Sequence, residues 1–480
     1  MLNKISKILG SALLVFAPVM PAAADTLADI YQLALTNDPE LRAANAALKI
    51  GKESIPLGRA GILPKIDASM EFTDGDGDTS NFRSLNFDPS GGGLSVPVGA
   101  SGHEDNETEY YSVSLSQPIF DLPAWFNFKR GYDLDGQAEA QFAADQQTTI
   151  VRVTEAYIDV LRANDNLVTS QAEQRAIGRQ LEQTKERFEV GLLPITDVHE
   201  AQAVYDGATV NTLENEAALD ISFEALGVIT GQQHFQLAGL SADFPVRPTE
   251  PADSASWVEF SQNNNFKLKV VRLAMTAAEK RANAAKAEHL PTVTASLTWS
   301  NFHDDGHFKK KKPLPRETQP YSIDDEPTVF AIRMDAPLFT GGLVSAERRK
   351  AYQQYIQTQE MHLLAQRATT QQARSQHLLV QTNAARVKAR SQAITSAQSA
   401  LEATEAGYDV GTRNIVDVLL TQRGLFQAKR NYANARYDYL VSMLKLRQVA
   451  GQLSPEHLAN LDRWLDPGLK VNRAAAPGSS

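Results

Sequence analysis

From Ile66 the chain alternates without a break: Ile66, Ala68, Met70 and Phe72 are apolar, while Asp67, Ser69, Glu71 and Thr73 are polar. Period two is the mark of a strand with one apolar face. The pattern returns at Tyr111, Val113 and Leu115 against Ser112, Ser114 and Ser116, and at Val293, Ala295, Leu297 and Trp299 against Thr294, Ser296, Thr298 and Ser300. A fourth run sets Phe330, Ile332 and Met334 against Arg333 and Asp335. Four strands of about nine residues are predicted, the length a tilted strand needs to cross the hydrocarbon of a bilayer. The stretches Asp74 to Tyr110 and Asn301 to Thr328, rich in polar residues, read as long loops joining the strands in pairs. Between Trp125 and Val190 there is no proline and only Gly131, Gly136 and Gly178 interrupt the run, while Leu343 to Ala406 has neither proline nor glycine. Each stretch predicts a helix of roughly 95 Å at 1.5 Å per residue. Residues 351–400 hold 11 Gln and 10 Ala, suited to helices packed closely side by side. The long helices end at Gly191 and Gly411, and a second helix restarts a few residues on, with Pro194 at a first-turn position and Asn414 as N-cap.

The two halves are copies of one another. Val190, Gly191, Ile195, Asp197, Val198 and Gln202 reappear as Val410, Gly411, Ile415, Asp417, Val418 and Gln422, and the register holds to Gly231 and Gly451. Leu63-Pro64-Lys65-Ile66 likewise parallels Leu290-Pro291-Thr292-Val293. The organisation is therefore a tandem duplication of helix, strand, strand, long helix and helix. Residues 25–231 and 255–451 are the copies, 232–254 is a connecting segment, and 452–480 is a C-terminal helix with a disordered tail from Asp466.

Strand alternation alone fits a water-soluble sheet with one face on a core as well as it fits a membrane barrel. The long polar connections favour the barrel, whose outward loops have this character. Four strands leave two unpaired edges, and in lipid each unsatisfied backbone group costs several kcal/mol. Other copies must complete the sheet, and three protomers would supply twelve strands. The N-terminus supports export: Lys4 and Lys7 precede an apolar run from Ile8 to Val19, and Ala22-Ala23-Ala24 offers a cleavage site, so residues 1–24 read as a signal peptide. With 47 Lys+Arg, two of them in that leader, against 57 Asp+Glu, the chain is too acidic for nucleic acid to be a partner. Absence of cysteine excludes disulfides, thiolate metal sites and a lipid anchor on cysteine. His303, Asp304, Asp305 and His307 have metal-ligand chemistry but read as a solvated loop, as does the Lys309 to Lys312 run. No catalytic or phosphate-binding motif is present, so neither an enzyme nor a cofactor is expected.

Arg187-Phe188-Glu189-Val190-Gly191-Leu192-Leu193-Pro194-Ile195-Thr196-Asp197-Val198 and Glu405-Ala406-Gly407-Tyr408-Asp409-Val410-Gly411-Thr412-Arg413-Asn414-Ile415-Val416-Asp417-Val418-Leu419 carry a family resemblance. The chain resembles the TolC-type outer-membrane exit ducts of tripartite efflux pumps and type I secretion systems, from Thr26 to about Trp464. The resemblance implies a mainly α protein with a β-barrel portion: a homotrimer whose twelve-stranded barrel in outer-membrane lipid continues into a twelve-helix periplasmic tunnel. It implies docking to a periplasmic adaptor and an inner-membrane transporter, the adaptor meeting the turns at Gly191, Leu192, Gly411 and Thr412. It implies a closed state in which Tyr408 and Arg413 bond Thr196 and Asp197 while Gln180 faces Glu405, with Asp417 forming a ring of three carboxylates at the constriction. Leu420 stands where relatives can carry a second acid. Each of Asp197 and Asp417 also sits in the first turn of a helix, where a carboxylate gains about 0.3–1 kcal/mol from the macrodipole without any gating role. A competing reading of the helices alone is an elongated periplasmic coiled coil with a small soluble sheet.

Overall fold

A computed structural model describes residues 24–87, 94–310 and 318–473. In chain order the elements are α1 (Leu27–Asn37), α2 (Pro39–Lys52), α3 (Ser54–Ala60), β1 (Lys65–Phe87), β2 (Leu94–Phe120), α4 (Leu122–Glu189) and α5 (Ile195–Thr230). They continue as β3 (Gln236–Leu240), α6 (Ser254–Asn264), α7 (Phe266–Ala287), β4 (Thr292–Lys310), β5 (Thr318–Asp325), β6 (Thr328–Asp335), α8 (Leu343–Asp409), α9 (Ile415–Val449), α10 (Pro455–Asp462) and β7 (Leu465–Asn472). The proline-free stretches form single helices of 68 and 67 residues, α4 and α8. The chain packs as two units, one taking in residues up to Asn45, Ala143–Phe266 and the chain from Arg367, the other Ala46–Phe142 and Lys267–Gln366.

The second unit carries the sheet, in the antiparallel order β1-β2-β4, with β5 and β6 following one another along the far side of β4. The fourth predicted strand is β6, and β5, which falls in the stretch expected as a loop, lies before it across a break at Glu326-Pro327. Ser300 on β4 donates to the Pro327 carbonyl at that break, and proline can offer no amide to a ladder. The apolar positions of the alternation lie uncovered: Ile66, Met70, Phe72, Leu297, Trp299, Phe330, Ile332 and Met334 are all 42–73% exposed within the chain. A soluble sheet would set this face on a core, so that reading of the strands falls.

The stretches expected as loops are strand instead. The β1–β2 ladder runs from Lys65↔Ser116 out to Phe87↔Leu94, and β4 continues to Lys310 against Gly102 and Thr318. From Asp74 to Asn81, and from Ser101 to Glu109 opposite, both faces are polar, so the two-residue period that flags a strand disappears there while the backbone ladder does not. His303, Asp304 and Asp305 accordingly sit on β4. His303 lies between Asp305 and Asp324, and buried Asp304 accepts from Asn106 Nδ2 at 2.9 Å and Thr108 Oγ1 at 2.8 Å. Among the described residues no cluster of three such side chains could hold a metal ion.

In the first unit, helices α1, α4, α5 and α9 meet in one core that includes Leu27, Ile30, Tyr157, Phe223, Leu226 and Leu440. The Tyr157 hydroxyl donates to the Ala238 carbonyl at 2.6 Å, tying α4 to β3. Strand β3 pairs with β7, and Asp25 bridges to Leu237 on the same small sheet. One expectation is corrected here. The connecting segment contains a strand, and residues 466–472 are not disordered but are that strand's partner, their polar composition giving no alternation to read. Arg473 beyond it pairs with Glu224, at 2.5 Å, and with Asp220. The signal peptide, apart from Ala24, and the tail beyond Arg473 lie outside the described residues.

Candidate gate and docking turns

Both inter-helix turns are built from one backbone pattern. Leu192 N donates to Arg187 O at 2.8 Å and Gly191 N to Phe188 O at 2.8 Å; Thr412 N donates to Gly407 O at 2.8 Å and Gly411 N to Tyr408 O at 3.1 Å. This is the Schellman closure, which requires a left-handed residue at the position after the cap. Gly191 has φ +79° and Gly411 φ +76°. The restarts differ: Asn414 caps α9 by accepting from Asp417 N at 2.9 Å, whereas Pro194 caps α5 without a side-chain bond and lies just outside the helix instead of in its first turn. The turns carry apolar side chains in the open, with Val190, Leu192 and Val410 70–74% exposed.

Around the turns the structure gathers a charged group. Arg187 Nη2 lies 3.1 Å from Asp409 Oδ1, joining α4 to α8, and its guanidinium stacks 4.8 Å over the ring of Tyr408. The Asp409 hydrogen bond, helped by Tyr408, raises the Arg187 pKa against the opposing effect of burial. Tyr408 packs beside Ile177, Leu181, Ala201, Ile415 and Leu419, and its hydroxyl is without an acceptor among the described residues. Arg413 Nη1 stands 3.7 Å from Asp417 Oδ2 one turn away, and Gly407 leaves room for the Arg413 side chain, since a Cβ there would meet Arg413 Cγ at 2.8 Å.

The expected pairing is thus brought only partly together within one chain. Arg413 reaches Asp417 and not Asp197, whose carboxylate accepts from Thr196 Oγ1 at 3.3 Å. Among the described residues no hydrogen bond joins Gln180 to Glu405, and Glu405 is exposed. Arg187 and Asp409 were missed. Their signal lay in the duplication: Arg187 corresponds to Gly407, so the charged pair sits where the two copies differ.

The profile of the family described as "Outer membrane efflux protein" matches residues 30–232 and 257–452, one match to each copy. The chain belongs to the outer membrane efflux protein family. Outer membrane protein TolC of Vibrio cholerae is 34% identical over 450 residues, which cover 93% of this chain and 94% of that protein. Proteases secretion protein PrtF of Dickeya chrysanthemi is 27% identical over 94% of both chains. Among solved structures, CusC aligns with a TM-score of 0.70 at 15% identity, covering 89% of this chain and 92% of that one. VceC of Vibrio cholerae aligns at 0.68 and 17%, covering 88% and 96%. These two structures confirm the fold. As an outer membrane efflux protein the chain is a transport duct of the outer membrane and not an enzyme, serving efflux or type I secretion.

Proposed function

We propose that three copies of this chain close a twelve-stranded barrel and that their paired helices form a passive conduit, shut at the inter-helix turns until partners dock. One observation carries the assembly: β1 on one side of the sheet, and β5 and β6 on the other, have no strand beyond them among the described residues, although their apolar face is built for lipid. Open edges do not persist in hydrocarbon, and single-chain barrels begin at about eight strands. Native mass measurement of the detergent-extracted protein tests it. A mass of three chains is expected, and a stable monomer or dimer with intact β-structure refutes the barrel.

The turns suit a periplasmic adaptor, which in turn engages an inner-membrane transporter. Leu192 and Val410 present apolar surface on rigid closures whose glycines admit close approach. Crosslinkers at Leu192 or Thr412 capture the adaptor if this holds; capture solely from residues 232–254 refutes it.

The gate consists of Tyr408, Arg413, Thr196, Asp197, Gln180 and Glu405, with Arg187 and Asp409 added from the geometry and Asp417 as the acid of the constriction. Supporting this, among the described residues Asp197 pairs with no cation and the Tyr408 hydroxyl has no acceptor, so both are left for a neighbouring copy. The Arg187–Asp409 pair is more than a third exposed and contributes at most about 1 kcal/mol, as does the stacking on Tyr408. Weak terms repeated three times make a closure that partner binding can reverse.

A further inference from the structure

The residues after β3, the start of α6, the end of α9 and α10 with Trp464 surround a half-open cavity of about 310 Å³. Aromatic rings stand among its apolar walls. Phe244 lies 6.3 Å from Tyr439 and 5.9 Å from Trp464, edge to face with the latter, and Trp257 completes the lining. Two of these rings have their polar atoms satisfied: Trp257 Nε1 donates to Pro251 O at 2.8 Å and the Tyr439 hydroxyl to Arg247 O at 2.7 Å. The charged groups of the lining are Arg247, Glu250 and Arg447, with His457 beside them. Arg247 and Glu250 are exposed and of opposite sign.

Arg447 differs from both. It is half-buried, no carboxylate pairs with it among the described residues, and its Nη1 lies 2.6 Å from His457 Nε2. Burial first, and the Arg447 charge second, hold the His457 pKa below its usual value. The imidazole is therefore neutral, accepts from the guanidinium, and leaves the positive charge uncompensated at an aromatic wall. A desolvated cation without a counter-charge is costly, and a mostly apolar pocket with one oriented charged group is the usual form of a small-molecule site.

We propose that this cavity binds a small aromatic carboxylate, its ring among Phe244, Trp257 and Trp464 and its carboxylate on Arg447. An apolar void of about 150 Å³ accepts benzene, so the space suits an acid of one or two rings. None of the proposed gate residues lines the cavity, and the proposal does not depend on how the duct is closed.

Calorimetric titration of the full-length protein in detergent, with matching titrations into detergent alone, tests the proposal using 2-naphthoate and its neutral counterpart 2-naphthalenemethanol. Saturable binding of the acid is expected, at least about tenfold tighter than the alcohol. Arg447→Gln should abolish that preference while leaving the alcohol unchanged, and Arg447→Lys should retain part of it. The proposal is overturned if the acid fails to saturate, as it would were the cavity filled by a second copy, or if acid and alcohol bind alike. Unchanged affinity of R447Q for the acid overturns it equally. Should R447Q not assemble, the acid-to-alcohol ratio on the unaltered protein decides alone.

Discussion

Ile332 sits at the middle of β6, opposite Ala295, and is 67% exposed on the face shared with Phe330 and Met334. Its neighbour Ala331 points to the opposite face, because successive side chains of a strand alternate. Replacing Ile332 by Arg sets a charge in lipid, at a cost of about 2–4 kcal/mol near the bilayer midplane. In a trimer the substitution occurs three times, giving roughly 6–12 kcal/mol, comparable to the whole net stability of many folded proteins. Ala331→Arg adds the same charge one residue away on the face that already holds Arg333, where water accommodates it. The pair therefore separates the position of the charge from the charge itself. Outer-membrane yield, and the temperature at which the extracted trimer dissociates on a gel, are the measurements. I332R should fall sharply in both, and A331R should stay close to the unaltered protein. Similar behaviour of the two variants would refute the assignment of the apolar face to lipid.

Three further outcomes are expected. Tyr408→Phe with Arg413→Ser, or Arg187→Ala alone, should raise single-channel conductance in planar bilayers, while Asp417→Ala should weaken cation selectivity; unchanged conductance would remove these residues from the gate. Gly411→Ala meets no neighbour within 4 Å, so its cost is the left-handed backbone alone, about 1–2 kcal/mol, visible as faster hydrogen exchange at Thr412; unchanged exchange would contradict the Schellman closure. In the unfolded chain His457 takes up its proton near 6.5, in the folded chain only at lower pH, so stability is fully present above 6.5 and falls as pH drops below it. The urea midpoint of the unaltered protein should accordingly fall more than that of H457Q between about pH 7 and about pH 5.5; equal falls would show that His457 is not the cause.

What could be read from sequence was what leaves a period or a break. The parts of β1, β2, β4 and β6 with one apolar face alternate, α4 beyond its first turn and all of α8 lack proline, and Gly191 and Gly411 mark closures that the backbone requires. The outer halves of the hairpins and β7 were not legible, since a ladder of backbone hydrogen bonds leaves no trace once both faces are polar. Asn414 was readable as a cap because a cap is a local matter. The contact of Tyr408 with Arg187 was not, because it depends on how α4 and α8 are set against one another. Arg187 is marked only by the difference between the copies, its counterpart being Gly407.

The hairpins beyond the bilayer have a consequence for how this protein ages under selection. From Asp74 to Phe87 the β1–β2 ladder is joined backbone to backbone, and backbone pairing is indifferent to most side chains. Residues displayed there can be exchanged with little effect on the conduit below. A phage or an antibody that recognises this surface would therefore face an easily altered target, whereas a molecule aimed at the two glycine closures would meet positions where any side chain carries a backbone cost.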